Sequence, residues 1–191
     1  MPGGVAWRRL RYDGILSRES HMPAFIVLLR AVNVGGTGKL PMTEFKAMCA
    51  AAGFSKVQTY IASGNVVFET EMPPAKIRAA LEARLKSYAG KPVGVVMRTL
   101  DEMAAVLKSN PFPNAASNRT FTIFFDQPPP AGALDEVRGL KDEELRLGAR
   151  EIYVHYGAGM GHSKLKIPAA KTGTARNMNT VAKLVELAAK L

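Results

Sequence analysis

The stretch "AFIVLLRAVNVGGTGKLPMTEFKAMCAAAGF", residues 24–54, changes its hydrophobic period part-way along. "AFIVLLRAV", Ala24 to Val32, is a continuous run of apolar and β-forming residues, which predicts a strand buried on both faces. Three glycines follow. Pro41 then suits a first helical turn, where its missing N–H is no loss, and Met42, Phe45, Met48, Cys49 and Ala52 fall on one helical face. Gly53 closes that helix as a left-handed residue, with Phe54 as the apolar partner beyond it.

Outward from this unit, "VQTYI" and "NVVFET" flank "ASG" and read as a hairpin. "PPAKIRAALEARLKSYAG" opens with prolines, ends with glycine and is helical between, and "VGVVM", Val93 to Met97, makes another strand. The order β-α-β-β-α-β over residues 24–98 is the ferredoxin-like, split βαβ arrangement. A second round follows. Thr99 and Glu102 form a capping box at the start of "DEMAAVLKS". After the loop "NPFPN" come a strand "RTFTIFFD", a short helix around Leu134 to Leu140, and two strands near "ELRLGA" and "EIYVHY". The last helix is amphipathic, with Val181, Leu184, Val185 and Ala188 on one face. This round is one strand short. The expected fold is α+β: a plait at residues 22–98 packed against a variant plait at 99–191, the second incomplete or completed by a strand from elsewhere.

Residues 1–21 show no sustained period and carry Arg8, Arg9, Arg11 and Arg18 against Asp13 and Glu19. They read as a disordered basic arm or an over-called start, with Met22 the natural beginning. The chain carries a net charge of +10, and without the arm 22 basic and 14 acidic residues leave +8. Such a balance favours phosphates, nucleic acid or acidic surfaces as partners. No apolar run approaches the ~20 residues of a membrane helix and no cleavable leader pattern is present, so the expectation is a cytoplasmic protein with no membrane partner. Cys49 is the one cysteine, which removes intramolecular disulfides, and no Cys/His cluster has metal-ligand spacing.

The glycine loop invites a nucleotide reading, which its spacing refuses. In a Walker A loop the first glycine would fall at Asn33 and the magnesium-binding hydroxyl at Leu40. Gly35, Gly36 and Gly38 also miss the dinucleotide spacing. Two readings remain open: a generic anion site made of backbone N–H groups, Lys39 and a helix N-terminus, or a plain β-to-α connection.

"LLRAVNVGGTGKLPMTEFKAMCAAAGFSKVQTYIASGNVVFE", "GHSKL" and "TARNMNTVAKLVEL" together resemble the bacterial family catalogued as domain of unknown function 1697, from about Met22 to the C-terminus. The resemblance implies a pair of ferredoxin-like subdomains and no particular activity. The chain departs from the usual family pattern at Ala31, where glycine is usual, at Met178, where tryptophan is frequent, and in a short "KIPAAKTG".

The candidate ligand-binding residues are Arg30, Asn33, Gly35, Gly36, Lys39, Ser63, Asn65, Lys164, Arg176, Asn177 and Asn179. They come from the glycine loop, the hairpin turn "SGN", "GHSKL" and "TARNMNT". Arg30 interrupts an apolar strand and needs a partner, either a structural salt bridge or an anion. "TARNMNT" loads the start of the last helix with more polar residues than a cap by Thr174 or Asn177 requires. His155 and His162 suit no Ser-His-Asp order, and Cys49 sits on an apolar face as inert core. No catalytic residue, cofactor or metal is assigned.

Three functions compete. The first is a site for a small anionic or phosphorylated ligand at the β1-α1 loop, bound or turned over. The second is a basic nucleic-acid-binding plait, in which an RNA-recognition motif would stack bases on aromatics of its central strands. Asn65 and Val67 on one face and Val66 and Phe68 on the other do not supply that aromatic pair. The third is a protein-interaction domain without a ligand.

Overall fold

The computed structural model describes residues 22–33 and 39–191. The expected arm, and the expected ligand contacts of Gly35 and Gly36, lie outside the described residues. The first sheet comprises β1 (Ala24–Leu29), β2 (Ser55–Tyr60), β3 (Asn65–Glu69) and β4 (Val95–Thr99) in the order β2-β3-β1-β4, every pair antiparallel. Helix α1 (Met42–Ala51) lies between β1 and β2, and α2 (Pro74–Ala89) between β3 and β4. That is the ferredoxin-like plait. Gly53, at φ 87°, and Gly90, at φ 67°, end the two helices in the left-handed conformation that a Cβ disfavours.

Helix α3 (Leu100–Lys108) carries the Thr99/Glu102 capping box at its start. Beyond it, β5 (Thr120–Phe124), β6 (Glu143–Leu147), β7 (Glu151–Tyr156) and β8 (Thr174–Asn177) form a second antiparallel sheet, ordered β6-β7-β5-β8. Read by position in each round, the two orders are the same. Helix α4 (Met178–Ala188) follows β8 as α3 follows β4.

Three expectations about single elements need correction. The missing fourth strand is "TARN", which the sequence pattern placed at the start of the last helix. Its burial alternates along the strand, but the buried positions Thr174 and Arg176 are polar, so no hydrophobic period marks it. The helix expected around Leu134 to Leu140 is a set of turns instead. Gly132 and Gly139 take positive φ there, and three prolines precede it. Strand β1 stops at Leu29 rather than Val32, because Ala31 turns left-handed at φ 53°.

The layers follow from which strand faces are apolar. Phe25, Val27, Leu29, Val66 and Phe68 pack beneath Phe45 and Cys49 of α1 and Ile77, Leu81 and Leu85 of α2. Burial pushes the Cys49 thiol up to about 12, so it is un-ionised and inert at neutral pH. Ile26, Leu28, Val67 and Val96, on the opposite face, meet Met103 and Val106 of α3 and Val181 and Leu184 of α4. Phe124 and Tyr153 close the same cluster from the second sheet. The outer face of the second sheet, Ile123, Phe125, Ile152 and Val154, has no helix on it. Leu134, from a turn, and Leu165 and Ile167, from the chain between two short 3-10 segments, cover it. The second plait is incomplete in its helices, not in its strands.

Candidate functional site

The matching strand orders place two arginines in equivalent positions. Arg98 and Arg176 each precede the N-cap of the helix that leaves the fourth strand, Thr99 for α3 and Asn177 for α4. Arg98 pairs across its sheet with Ile26 of β1, and Arg176 with Thr122 of β5. Each crosses to the other sheet. Arg98 is 1% exposed and Arg176 is 7% exposed, so both charges are held away from water.

Arg98 meets a carboxylate. Its Nη2 donates to Glu151 Oε1 at 2.8 Å and to the Phe125 carbonyl at 2.8 Å, and its Nη1 donates to the Met97 carbonyl. Around it Arg78 pairs with Asp126 at 2.7 Å and Arg150 with Glu102 at 2.7 Å. Every cation in the adjoining cavity of about 530 Å³ has an acid within reach.

Arg176 meets only neutral oxygens. Its Nη2 donates to the Leu29 carbonyl at 3.0 Å and to Ser63 O at 2.7 Å, its Nη1 to Thr174 Oγ1 and Ala175 O, and its Nε to Asn65 Oδ1. Asn65 begins β3 as Glu151 begins β7, so an amide stands where the other arginine has a carboxylate. All five N–H groups of the guanidinium are thereby occupied. Burial pulls its pKa down to about 10, which leaves it a cation at neutral pH with no counter-charge among its partners.

A cavity of about 590 Å³ opens beside this buried charge. Arg30, Lys171 and Arg176 line it with Ser63, Thr174, Leu29, Ala31 and Val32, and no carboxylate lines it among the described residues. Arg30 lies just past the end of β1, half-buried, and donates from Nη1 to the Lys171 carbonyl at 3.0 Å. The position equivalent to Arg30 in the second sheet is Asp126, whose ion pair with Arg78 contributes to neutralising the other cavity. Of the two partners open to Arg30, a salt bridge or an anion, no salt bridge is formed among the described residues.

The remaining candidates divide by what their polar atoms do. Asn33, at φ 55°, accepts from Leu40 N–H at 2.8 Å and donates to the Leu40 carbonyl at 2.9 Å and to Ala62 O at 2.7 Å. It ties the two ends of the glycine loop to each other and to the hairpin turn. Asn65 is fully buried, donating to Tyr60 O and Ser63 Oγ. Asn177 caps α4 by accepting from Thr180 N–H at 2.9 Å. Lys39 is exposed and lines a neighbouring cavity that shares Ala31 and Val32 with this one. Lys164 and Asn179 are exposed and line neither. Of the proposed set, the fold gathers Arg30, Ser63 and Arg176 around one cavity, with Asn65 behind them.

Lys171 escaped the sequence reading, since a loop lysine carries no period, and Thr174 was read as a possible helix cap rather than as part of the cavity. The pairing of Arg98 with Arg176 had a faint signal: "RTL" and "RNM" each place arginine before a capping residue and an apolar first turn.

A family model described as Protein of unknown function (DUF1697) matches residues 22–153. The chain belongs to this family. The match covers the glycine loop and the hairpin turn and stops before the "GHSKL" and "TARN" segments, whereas the resemblance read from the sequence continued to the C-terminus. Within the family's fold, the chain is similar to the solved structure of a conserved bacterial protein from Streptococcus pneumoniae. The TM-score is 0.74 and the identity 25%, over 87% of this chain and 99% of that one. A comparison with curated proteins gives no match. No helix among the described residues is long and apolar enough to cross a membrane.

Proposed function

We propose that the protein binds a small anionic or phosphorylated ligand in the cavity beside Arg30, Lys171 and Arg176. The observation that carries this reading is the lining itself, three cations and no carboxylate among the described residues. Arg176 acts as a fixed charge behind the site, because its donors are spent on the protein. Arg30 and Lys171, on the rim, supply the donors that reach the ligand, with the Ser63 hydroxyl beside them. The backbone N–H groups of Gly35 and Gly36, expected from the sequence to face an anion, belong to the same proposal, and Lys39 lines the neighbouring cavity. A cytoplasmic setting suits a chain whose one cysteine is a buried free thiol.

The nucleic-acid reading draws on net charge alone. Both faces of each sheet are packed, so neither offers the open aromatic platform that a plait uses on single-stranded RNA. Basic surface can still hold RNA nonspecifically, with an affinity that collapses as salt rises.

Isothermal titration with inorganic phosphate at low ionic strength tests the proposal. Arg30→Ala and Lys171→Ala should each weaken binding by about ten-fold, the low end for a charge-assisted hydrogen bond at a partly open site. Melting temperatures should hardly change, since neither side chain is buried in the core. Phosphate that fails to bind, or binds the variants as well as the parent, overturns the reading.

A further inference from the structure

The cavity on the other side of Ala31 and Val32 has a different character. It measures about 330 Å³, and its walls are Val32, Leu40, Leu85 and Val93, contributed by the two ends of the glycine loop, the last turns of α2 and the link to β4. Tyr88 stands in the lining at 46% exposure, and Lys39 and Lys91 are the charged groups among its described residues. Apolar walls with a few polar groups at this volume are what small-molecule pockets present. A tyrosine ring half open to water beside such walls leaves an aromatic surface for a flat partner.

Ala31 and Val32 line both cavities, which therefore adjoin, one with apolar walls and the other with cations. We infer that the ligand is an organic phosphate with a flat ring, an aryl or heteroaryl phosphomonoester, its ring against Tyr88 and its phosphate against Arg30 and Lys171. This inference rests on the anion-site reading and adds the chemical class of the ligand. Lys39 and Lys91 sit at the ring end, where they favour a ring that carries acceptor atoms over a plain hydrocarbon.

Phenyl phosphate and inorganic phosphate, titrated separately into the full chain, separate the two readings. Phenyl phosphate should bind about ten-fold more tightly, as one aromatic contact allows. Tyr88→Ala should abolish that advantage and leave the affinity for inorganic phosphate unchanged, with an unaltered melting temperature showing that the exposed ring is not needed for folding. Equal affinities for the two probes overturn the ring site while the anion site stands. Phenyl phosphate lost with Tyr88→Ala but indifferent to Arg30→Ala and Lys171→Ala keeps the ring site and removes the anion site. Failure of both probes to bind overturns both.

Discussion

The two crossing arginines form a comparison within one molecule. At Arg98 the neighbouring sheet supplies Glu151, and the flanking Arg78 and Arg150 also have acids, so the charge is settled inside the protein. At Arg176 the same backbone geometry delivers Asn65 and a set of carbonyls. The guanidinium is well hydrogen-bonded in both places, but only one is neutralised. Hydrogen-bond satisfaction and charge compensation are separate requirements, and a buried cation that meets the first without the second leaves a positive field in the nearest open space. Here that space is the cavity of about 590 Å³.

The largest expected effect comes from breaking the settled end. Glu151→Ala leaves a fully buried guanidinium without its acid, a loss of about 3–5 kcal/mol. At this chain length the melting temperature should fall by roughly 6–20 °C, read by calorimetry. A fall of a degree or two would mean that Arg98 is as content with neutral oxygens as Arg176, and the contrast between the two ends would carry no energetic weight.

A second substitution makes the open end resemble the settled one. Asn65→Asp puts a carboxylate on Arg176 at nearly unchanged shape. The new ion pair is offset by the loss of the amide's donations to Tyr60 and Ser63, so stability should change by about 1 kcal/mol at most. Phosphate affinity should nonetheless drop about ten-fold, because the field behind the cavity is cancelled. Unchanged affinity in titration would remove Arg176 from the site and leave Arg30 and Lys171 alone with the anion.

The smallest effect concerns the backbone between the cavities. Ala31 holds a left-handed φ of 53°, a conformation that costs a Cβ-bearing residue about 1–2 kcal/mol and that glycine adopts freely. Ala31→Gly should raise stability by about 0.5–1 kcal/mol after glycine's own entropy loss, a rise of about 1–4 °C in the melting temperature. A lower melting temperature would show that the methyl group packs usefully in one of the two cavities that it lines.

Much of the first sheet was legible in the sequence because each of its boundaries is written in backbone chemistry. Pro41, Gly53, Pro74 and Gly90 start and stop helices for reasons local to those residues, and Ala24 to Leu29 declares a buried strand by being apolar throughout. Strand β8 was illegible for the opposite reason. Thr174 and Arg176 are buried by partners more than a hundred residues away, Leu29 and Asn65, so nothing nearby in the chain announces them. The polar segments of the candidate site were recognised as unusual, yet which residues share a cavity was set by that same long-range pairing. Asn33, read as a ligand contact, has its amide engaged with Leu40 across its own loop and with Ala62 of the hairpin turn.

The layer formed by α3 and α4 bears on how the molecule is made. Val181 and Leu184 of α4 cover apolar residues of β1 and β3, joining the two ends of the described chain in one cluster. During synthesis the inner face of the first sheet is therefore covered only in part, by Met103 and Val106 of α3, until residues 178–188 have emerged, although α1 and α2 can already protect the outer face. Contacts of such sequence separation are slow to close. Nascent chains waiting at that stage present the part of β1 and β3 that α4 will cover as a sticky strip, the surface on which a holding chaperone would act.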